Sequence, residues 1–170
     1  VIIIIAAVVA SFIFAPADED QGITNIAILN KGNFGDNSTL YIKLTDIDKA
    51  GLSNKTMHVK VLDANGTAVY TTDVKTHATG VAMAKLTNVS AGEYTLNITF
   101  DGDQNYTGSS ISKKITVEAG VVEDTVENST LITQTIQEAQ DAGEDTSVYT
   151  SQSTSNTPTY TPPSSSSDSS

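Results

Sequence analysis

Every second residue is apolar in three segments of the chain, at residues 40–44, 57–61 and 94–100. This period-two pattern is typical of strands that bury one face, as antiparallel strands commonly do. Asn65–Gly66 between two such segments favours a hairpin, because both residues tolerate a positive φ. Residues 22–118 are therefore predicted to form an all-β domain, an antiparallel β-sandwich of about seven strands. The core residues predicted for its clearest strand are Tyr94, Leu96, Ile98 and Phe100, with the Tyr94 hydroxyl bonded to nearby backbone.

An apolar segment precedes this domain. Residues 1–17 are almost entirely apolar up to Pro16, and three acidic residues follow. A helix over the first 15 residues would span about 22 Å at about 1.5 Å per residue, less than the roughly 30 Å core of a bilayer. We interpret residues 1–17 as the outer part of a retained membrane anchor or of a cleaved signal segment, and we expect further residues before Val1. Both alternatives place the rest of the chain outside the cell.

Two segments follow the predicted domain. Residues 119–145 are predicted to be a linker in which Ile132, Ile136 and Ala139 share one face of a short amphipathic helix. Residues 146–170 are rich in Ser, Thr and Pro and contain neither Lys nor Arg. Such a composition cannot bury enough apolar surface to offset its ordering entropy. We therefore expect a disordered tail, of the kind that serves as a stalk or a wall-spanning linker.

The composition of the chain disfavours or excludes several classes of function. Twenty acidic residues face nine basic ones, which gives a net charge of −11, and the chain has no cysteine. Nucleic-acid binding is disfavoured because a phosphate-binding surface needs clustered positive charge. Disulfides, thiol catalysis and cysteine zinc sites are excluded. The two histidines, His58 on a strand and His77 in a turn, are expected to be solvated, so we predict no enzyme activity, no cofactor and no metal.

Two local patterns partly match known sites, namely a calcium-binding loop and an intramolecular Lys–Asn crosslink. Asp101, Asp103 and Asn105 alternate as at the start of a calcium loop, but Ser112 stands where that loop needs a bidentate Glu. We interpret these acidic residues as turn formers. Lys113 could share a buried face with neighbouring isoleucines and so form an intramolecular Lys–Asn crosslink, which requires a buried lysine beside a carboxylate.

Seven Asn-x-Ser/Thr sequons mark acceptor positions for N-glycosylation. Most are predicted in turns or in the linker, and the one on a strand is predicted to point outward by alternation. All seven are therefore expected to be accessible; they are Asn37, Asn54, Asn65, Asn88, Asn97, Asn105 and Asn128.

Short motifs occur in a fixed order between Thr39 and Val117. They are Leu-Ser-Asn-Lys-Thr at 52–56, Thr-Gly-Val-Ala at 79–82, Ala-Gly-Glu-Tyr-Thr at 91–95, and Gly-Asp-Gln-Asn-Tyr at 102–106 followed by Ser-Ser at 109–110, with Phe-Gly-Asp at 34–36 before them. Together they resemble the bacterial and archaeal Ig-like modules of adhesin-like cell-surface proteins, notably of methanogenic archaea. The resemblance implies an Ig-like fold, although the paired cysteines and buried Trp of antibody domains are missing.

The expected function is that of a non-enzymatic, surface-anchored module acting in adhesion or as a spacer. Its expected partners are the membrane, through the N-terminal segment, and cell-wall or other surface components, with self-assembly also considered. An alternative is a pilin-like filament subunit whose apolar helix lies in the filament core, although Pro16 would end that helix early. A third hypothesis, an accessory carbohydrate-binding module, requires outward aromatic residues, for which the sequence offers Tyr41, Tyr70 and Tyr106.

Overall fold

The computed structural model describes residues 21–120 and 125–150. The predicted anchor or signal segment at residues 1–17 lies outside these residues, and so does the predicted tail beyond residue 150. Within the described part, neither helix has the length and apolar character needed to cross a membrane.

Strands make up a little under half of the described residues, and two helices follow them. The elements are β1 (Thr24–Ile28), β2 (Asn30–Lys31), β3 (Thr39–Asp46), β4 (Thr56–Leu62), β5 (Ala68–Lys75), β6 (Val81–Lys85), β7 (Gly92–Gly102), β8 (Thr107–Val117), β9 (Thr125–Val126), α1 (Ser129–Asp141) and α2 (Ser147–Thr150).

Two antiparallel sheets form the body of the protein. One has three strands in the order β1-β3-β6, and the other has four strands in the order β5-β4-β7-β8. The short strands β2 and β9 pair with each other. The prediction of an antiparallel β-sandwich is confirmed.

The main core lies between the two sheets. Fully buried side chains come from three strands: Leu40, Ile42 and Leu44 of β3, Met57, Val59 and Val61 of β4, and Leu96 and Ile98 of β7. Each fully buried Leu or Ile side chain contributes roughly 1.5–3 kcal/mol by leaving water. Aliphatic packing therefore stabilises this sandwich in the absence of any disulfide.

Two parallel contacts join the segment before β3 to β8 and to the residue just before it. Gly22 pairs with Tyr106 at one end, and Phe34 pairs with Val117 at the other. The Gly22 amide donates to the Asn105 carbonyl at 2.8 Å, and the Phe34 amide donates to the Thr116 carbonyl at 2.9 Å. These contacts close one edge of the sandwich.

The antiparallel connections divide the loops between two opposite poles. The flank pole comprises loops 47–55, 76–80 and 103–106, and the far pole comprises loops 32–38, 63–67 and 86–91. The described N-terminal segment enters at the flank pole, where Gly22 bonds to the 103–106 turn. The end of α1 reaches the same pole, because Glu138 accepts a hydrogen bond from the Thr79 amide. The start of the described chain and the end of α1 therefore lie at the same pole, although the chain leaves β8 at the far pole and returns along α1.

Helix α1 covers the outer face of the three-stranded sheet. Ile132, Ile136 and Ala139 are buried there against a second apolar cluster that includes Tyr41 and Met83. The prediction that Tyr41 points to solvent is therefore wrong: its side chain is only 4% exposed. The predicted apolar face of the helix is confirmed, and it packs on the outer face of the three-stranded sheet.

The folded region extends past the predicted boundary of the domain. The sequence predicts a linker with a short helix over residues 119–145 and a disordered tail from Thr146, but Thr146 is buried and α2 follows it. Tyr149 packs against the same cluster as α1. The docked helix brings these residues against the sheet, which composition alone could not reveal.

Two glycines allow the backbones of two flank-pole loops to touch. Gly80 has φ +78°, and a Cβ at this position would lie 2.5 Å from the Cα of Gly51. A Cβ on Gly51 would lie 2.2 Å from the Thr79 carbonyl oxygen. Only glycine fits this close approach.

Candidate functional site

The far pole holds four of the seven sequon asparagines. Asn37 and Asn88 border one open depression of about 400 Å³, together with Val89. Asn65 lies in the β4–β5 turn, and Asn128 immediately precedes α1, where the chain leaves β9 beside β2. All four residues are exposed.

Local turn chemistry sets the backbone at these positions. Asn37, Asn88 and Asn128 have φ values of 61°, 59° and 58°, a left-handed conformation that Asn adopts more readily than other side chains. In the β4–β5 turn, Gly66 takes the positive φ while the Asp63 carboxylate accepts the amide of Asn65 at 2.8 Å. The hairpin prediction is confirmed, with Gly66 rather than the Asn65–Gly66 pair in the left-handed region.

The flank pole holds Asn54 and Asn105, which are both exposed. Each lies close in sequence to one member of an ion pair between Lys55 and Asp103. Lys55 contacts the Asp103 carboxylate and lies 4.9 Å from the ring centre of Tyr106. The hydrogen bond from Lys55 holds the pKa of Asp103 below its usual value.

The acidic turn at the flank pole serves local structure. Asp103 Oδ1 accepts the amides of Asn105 at 2.9 Å and Tyr106 at 3.0 Å, which fixes the β7–β8 turn. Within residues 21–120 and 125–150, no group of three or more His, Cys, Asp or Glu side chains is placed to hold a metal ion.

Asn97 differs from the other sequon asparagines. It lies on β7, in register with Lys60 of β4 and Ser112 of β8. Its side chain is half-buried, and its Oδ1 is enclosed without a hydrogen-bond partner among the described residues. Alternation does place Asn97 on the outer face, but its neighbours on both strands restrict access to it.

The four-stranded sheet brings three charged groups together on its outer face. His58 Nδ1 lies 2.6 Å from Asp73 Oδ1, and His58 Nε2 lies 3.1 Å from Asp101 Oδ2. The hydrogen bond with Asp73 raises the pKa of His58, with a smaller contribution from the charge of Asp101, while partial burial opposes the shift. When it is protonated, the imidazole can donate to both carboxylates and so link β4, β5 and β7. This grouping was missed because the two aspartates become neighbours of His58 only through strand pairing.

His77 is not the solvated histidine that the sequence suggested. Its side chain is only 14% exposed, and its Nε2 lies 3.7 Å from Glu144 Oε2. Nearby, the hydroxyls of Thr79 and Thr135 are 2.6 Å apart. These contacts fasten the end of α1 to the flank pole.

The residues predicted for the core are buried or half-buried, whereas the lysine considered for the crosslink is exposed. Leu96 and Ile98 are fully buried, Phe100 is 4% exposed, and Tyr94 is half-buried. The Tyr94 hydroxyl donates to the Ser90 carbonyl at 2.9 Å. Lys113 is exposed, so the buried lysine that a Lys–Asn crosslink requires is missing at this position.

Comparison with known proteins gives one family match. Residues 36–118, a little under half of the chain, match the sequence model of a family described as the secretion system C-terminal sorting domain. This match points to a secreted or cell-surface protein. In this chain the matched segment is followed by α1, α2 and further residues.

The other comparisons are less informative. A crystal structure of an engineered protein, a target of the Northeast Structural Genomics Consortium, is 18% identical with a TM-score of 0.36. That match covers 63% of this chain and 21% of the engineered protein, so this chain spans about a fifth of its length. No curated protein sequence matches the chain.

Proposed function

We propose that this protein is a non-enzymatic module of the cell surface, which acts as an adhesin-like or spacer element and presents its far pole to the surroundings. The observation that carries this proposal is the position of the flanks. Gly22 and the end of α1 both lie at the flank pole. A chain tethered through its flanks would hold the flank pole toward the cell and the opposite loops away from it.

The family match and the net charge support the same placement. The sorting-domain match points to export or surface display. A net charge of −11 keeps such a surface soluble and repels anionic wall polymers, so binding by one copy would be weak. Adhesion would then depend on many copies presented together, through effective concentration. The ordered motifs also support a relationship to the Ig-like modules of methanogen surface proteins, with residues 1–17 as the membrane attachment.

A labelling experiment on intact cells tests the orientation. The chain has no cysteine, so a single introduced thiol can be labelled selectively. Asn33→Cys lies in an exposed loop at the far pole, outside any sequon, and Asp48→Cys lies in an exposed turn at the flank pole. A large membrane-impermeant maleimide should label Asn33→Cys faster on intact cells, and both variants equally after detergent extraction. Equal labelling on intact cells would contradict the proposed orientation, and labelling only after lysis would contradict a surface location.

Attachment assays test the function itself. Cells that display the protein should attach to neighbouring cells or surfaces more strongly than cells that lack it, and arrays of copies should exceed single copies. If displaying the protein changes attachment neither as single copies nor as arrays, the adhesion hypothesis fails and a spacer role remains.

A further inference from the structure

The asparagines of this protein use their side-chain amides in two different ways. Asn30, which is not part of a sequon, is buried and uses both amide atoms internally: Nδ2 donates to the Thr39 carbonyl and Oδ1 accepts the Tyr41 amide, each at 2.8 Å. Asn65 and Asn88 are exposed, and their side-chain amides make no hydrogen bond within the described residues. Their nitrogens are available for reaction.

Asn128 combines a structural role with a free nitrogen. Its Oδ1 accepts the Leu131 amide at 3.1 Å and so caps α1. The cap occupies only the oxygen, because a cap side chain acts as an acceptor. A sugar attached to Nδ2 would leave this hydrogen bond in place.

The hydroxyl two positions later separates the sequons further. Since the acceptor motif requires Ser or Thr at this position, a transferase that acts on the folded protein must reach that residue as well as the asparagine. Thr67, Ser90 and Thr130 are exposed, and they complete the sequons of Asn65, Asn88 and Asn128. Thr39, which completes the sequon of Asn37, is fully buried. The sequon of Asn97 is restricted by the half-buried state of Asn97 itself.

For the sequons of the far pole and of β7, we propose that Asn65, Asn88 and Asn128 are N-glycosylated in the folded protein, and that Asn37 and Asn97 stay unmodified. In the reaction Nδ2 forms a bond to the anomeric carbon of an activated sugar, the bond from that carbon to the phosphate of the donor breaks, and one amide proton is released. No oxidation or reduction takes place. The three glycans would cover the far pole. This inference rests on the proposed function, since it requires that the chain be exported to the transferase.

Paired substitutions at the third sequon position provide the variants. Thr67→Ala, Ser90→Ala and Thr130→Ala each destroy one sequon and keep the asparagine, so the Asn128 cap on α1 is retained. Thr67→Ser, Ser90→Thr and Thr130→Ser are the matched controls, because they keep the sequon. Asn33→Gln is a further control at an exposed far-pole asparagine outside any sequon.

The measurement is intact mass and glycopeptide mapping of the full chain isolated from the surface fraction of the source cells. Apart from the small mass change of the substitution itself, each alanine variant should lose the mass of one glycan, and every control should keep the glycan mass of the parent protein. Glycans on Asn37 or Asn97 would show attachment before folding and would overturn the assignment. A bare protein in the surface fraction would overturn it while leaving the proposed function intact, whereas a bare protein found only inside the cell would overturn both.

Discussion

Replacing Ile136 by alanine tests whether α1 is part of the folded unit. Ile136 is 6% exposed and packs in the cluster that includes Tyr41, Val81 and Met83. Truncating a buried isoleucine to alanine costs about 2–5 kcal/mol of unfolding free energy, and the upper values require a cavity that cannot collapse. The Ile136 site lies between one helix and the outside of a sheet, where the helix can shift inward. We therefore expect a loss of about 2–3 kcal/mol.

Urea denaturation of the chain from Gln21 onward measures this loss as a lower midpoint at an unchanged slope. Gln137→Ala is the matched control, because residue 137 lies on the exposed side of the same helix and should change stability by less than about 0.5 kcal/mol. A second comparison uses residues 21–120 alone, which should be less stable than residues 21–150 because the outer face of the sheet is uncovered. If Ile136→Ala behaves like Gln137→Ala, α1 does not stabilise the sandwich and the reasoning fails.

Three further predictions concern the sandwich itself. Because the pKa of His58 is raised in the folded state, its ion pairs stabilise the fold below the ordinary value of 6.5, and this stabilisation is lost as the pH rises through the folded pKa. The free energy of unfolding should therefore fall more in His58→Gln at about pH 5 than at about pH 8. An equal loss at both pH values would contradict the ion pairs of His58 with the two aspartates. Gly80→Ala should cost at least about 1–3 kcal/mol from the positive φ alone, measured as a lower melting temperature, and a change within error would show that the loops can separate. Tyr94→Phe should cost about 0.5–1.5 kcal/mol for the lost bond to Ser90, and no loss in a urea titration would show that water replaces the bond.

The sequence predicts strands well where burial is one-sided. On β7, Leu96 and Ile98 face the core as alternation requires, because the outer face of that sheet is solvated. On β3, alternation fails at Tyr41, because α1 covers the outer face as well. The sequence of β6 contains the signal for this cover, because apolar Val81 and Met83 alternate with the equally apolar Ala82 and Ala84. A strand that is apolar on both faces needs a partner on each.

The site depends on contacts that the sequence does not display. Sequons are visible as a motif, but the burial of Thr39 follows from strand pairing at the far pole. The grouping of His58 with Asp73 and Asp101 likewise depends on the register of three strands. Local sequence patterns show which residue types a strand carries, and the register between paired strands determines which of these side chains come into contact.

The parallel contacts that Gly22 and Phe34 make along β8 have a mechanical consequence. Tension on the C-terminal flank acts first on α1, and peeling away residues 118–150 would release roughly 110–120 Å of chain at ~3.3–3.6 Å per residue. The load would then reach Gly22 at one pole and Val117 at the other. Pulled this way, the hydrogen bonds of Gly22 and Phe34 with β8 are sheared together rather than opened in succession. Under such a load the helix would be released first and lengthen the chain, while the sandwich would resist stretching.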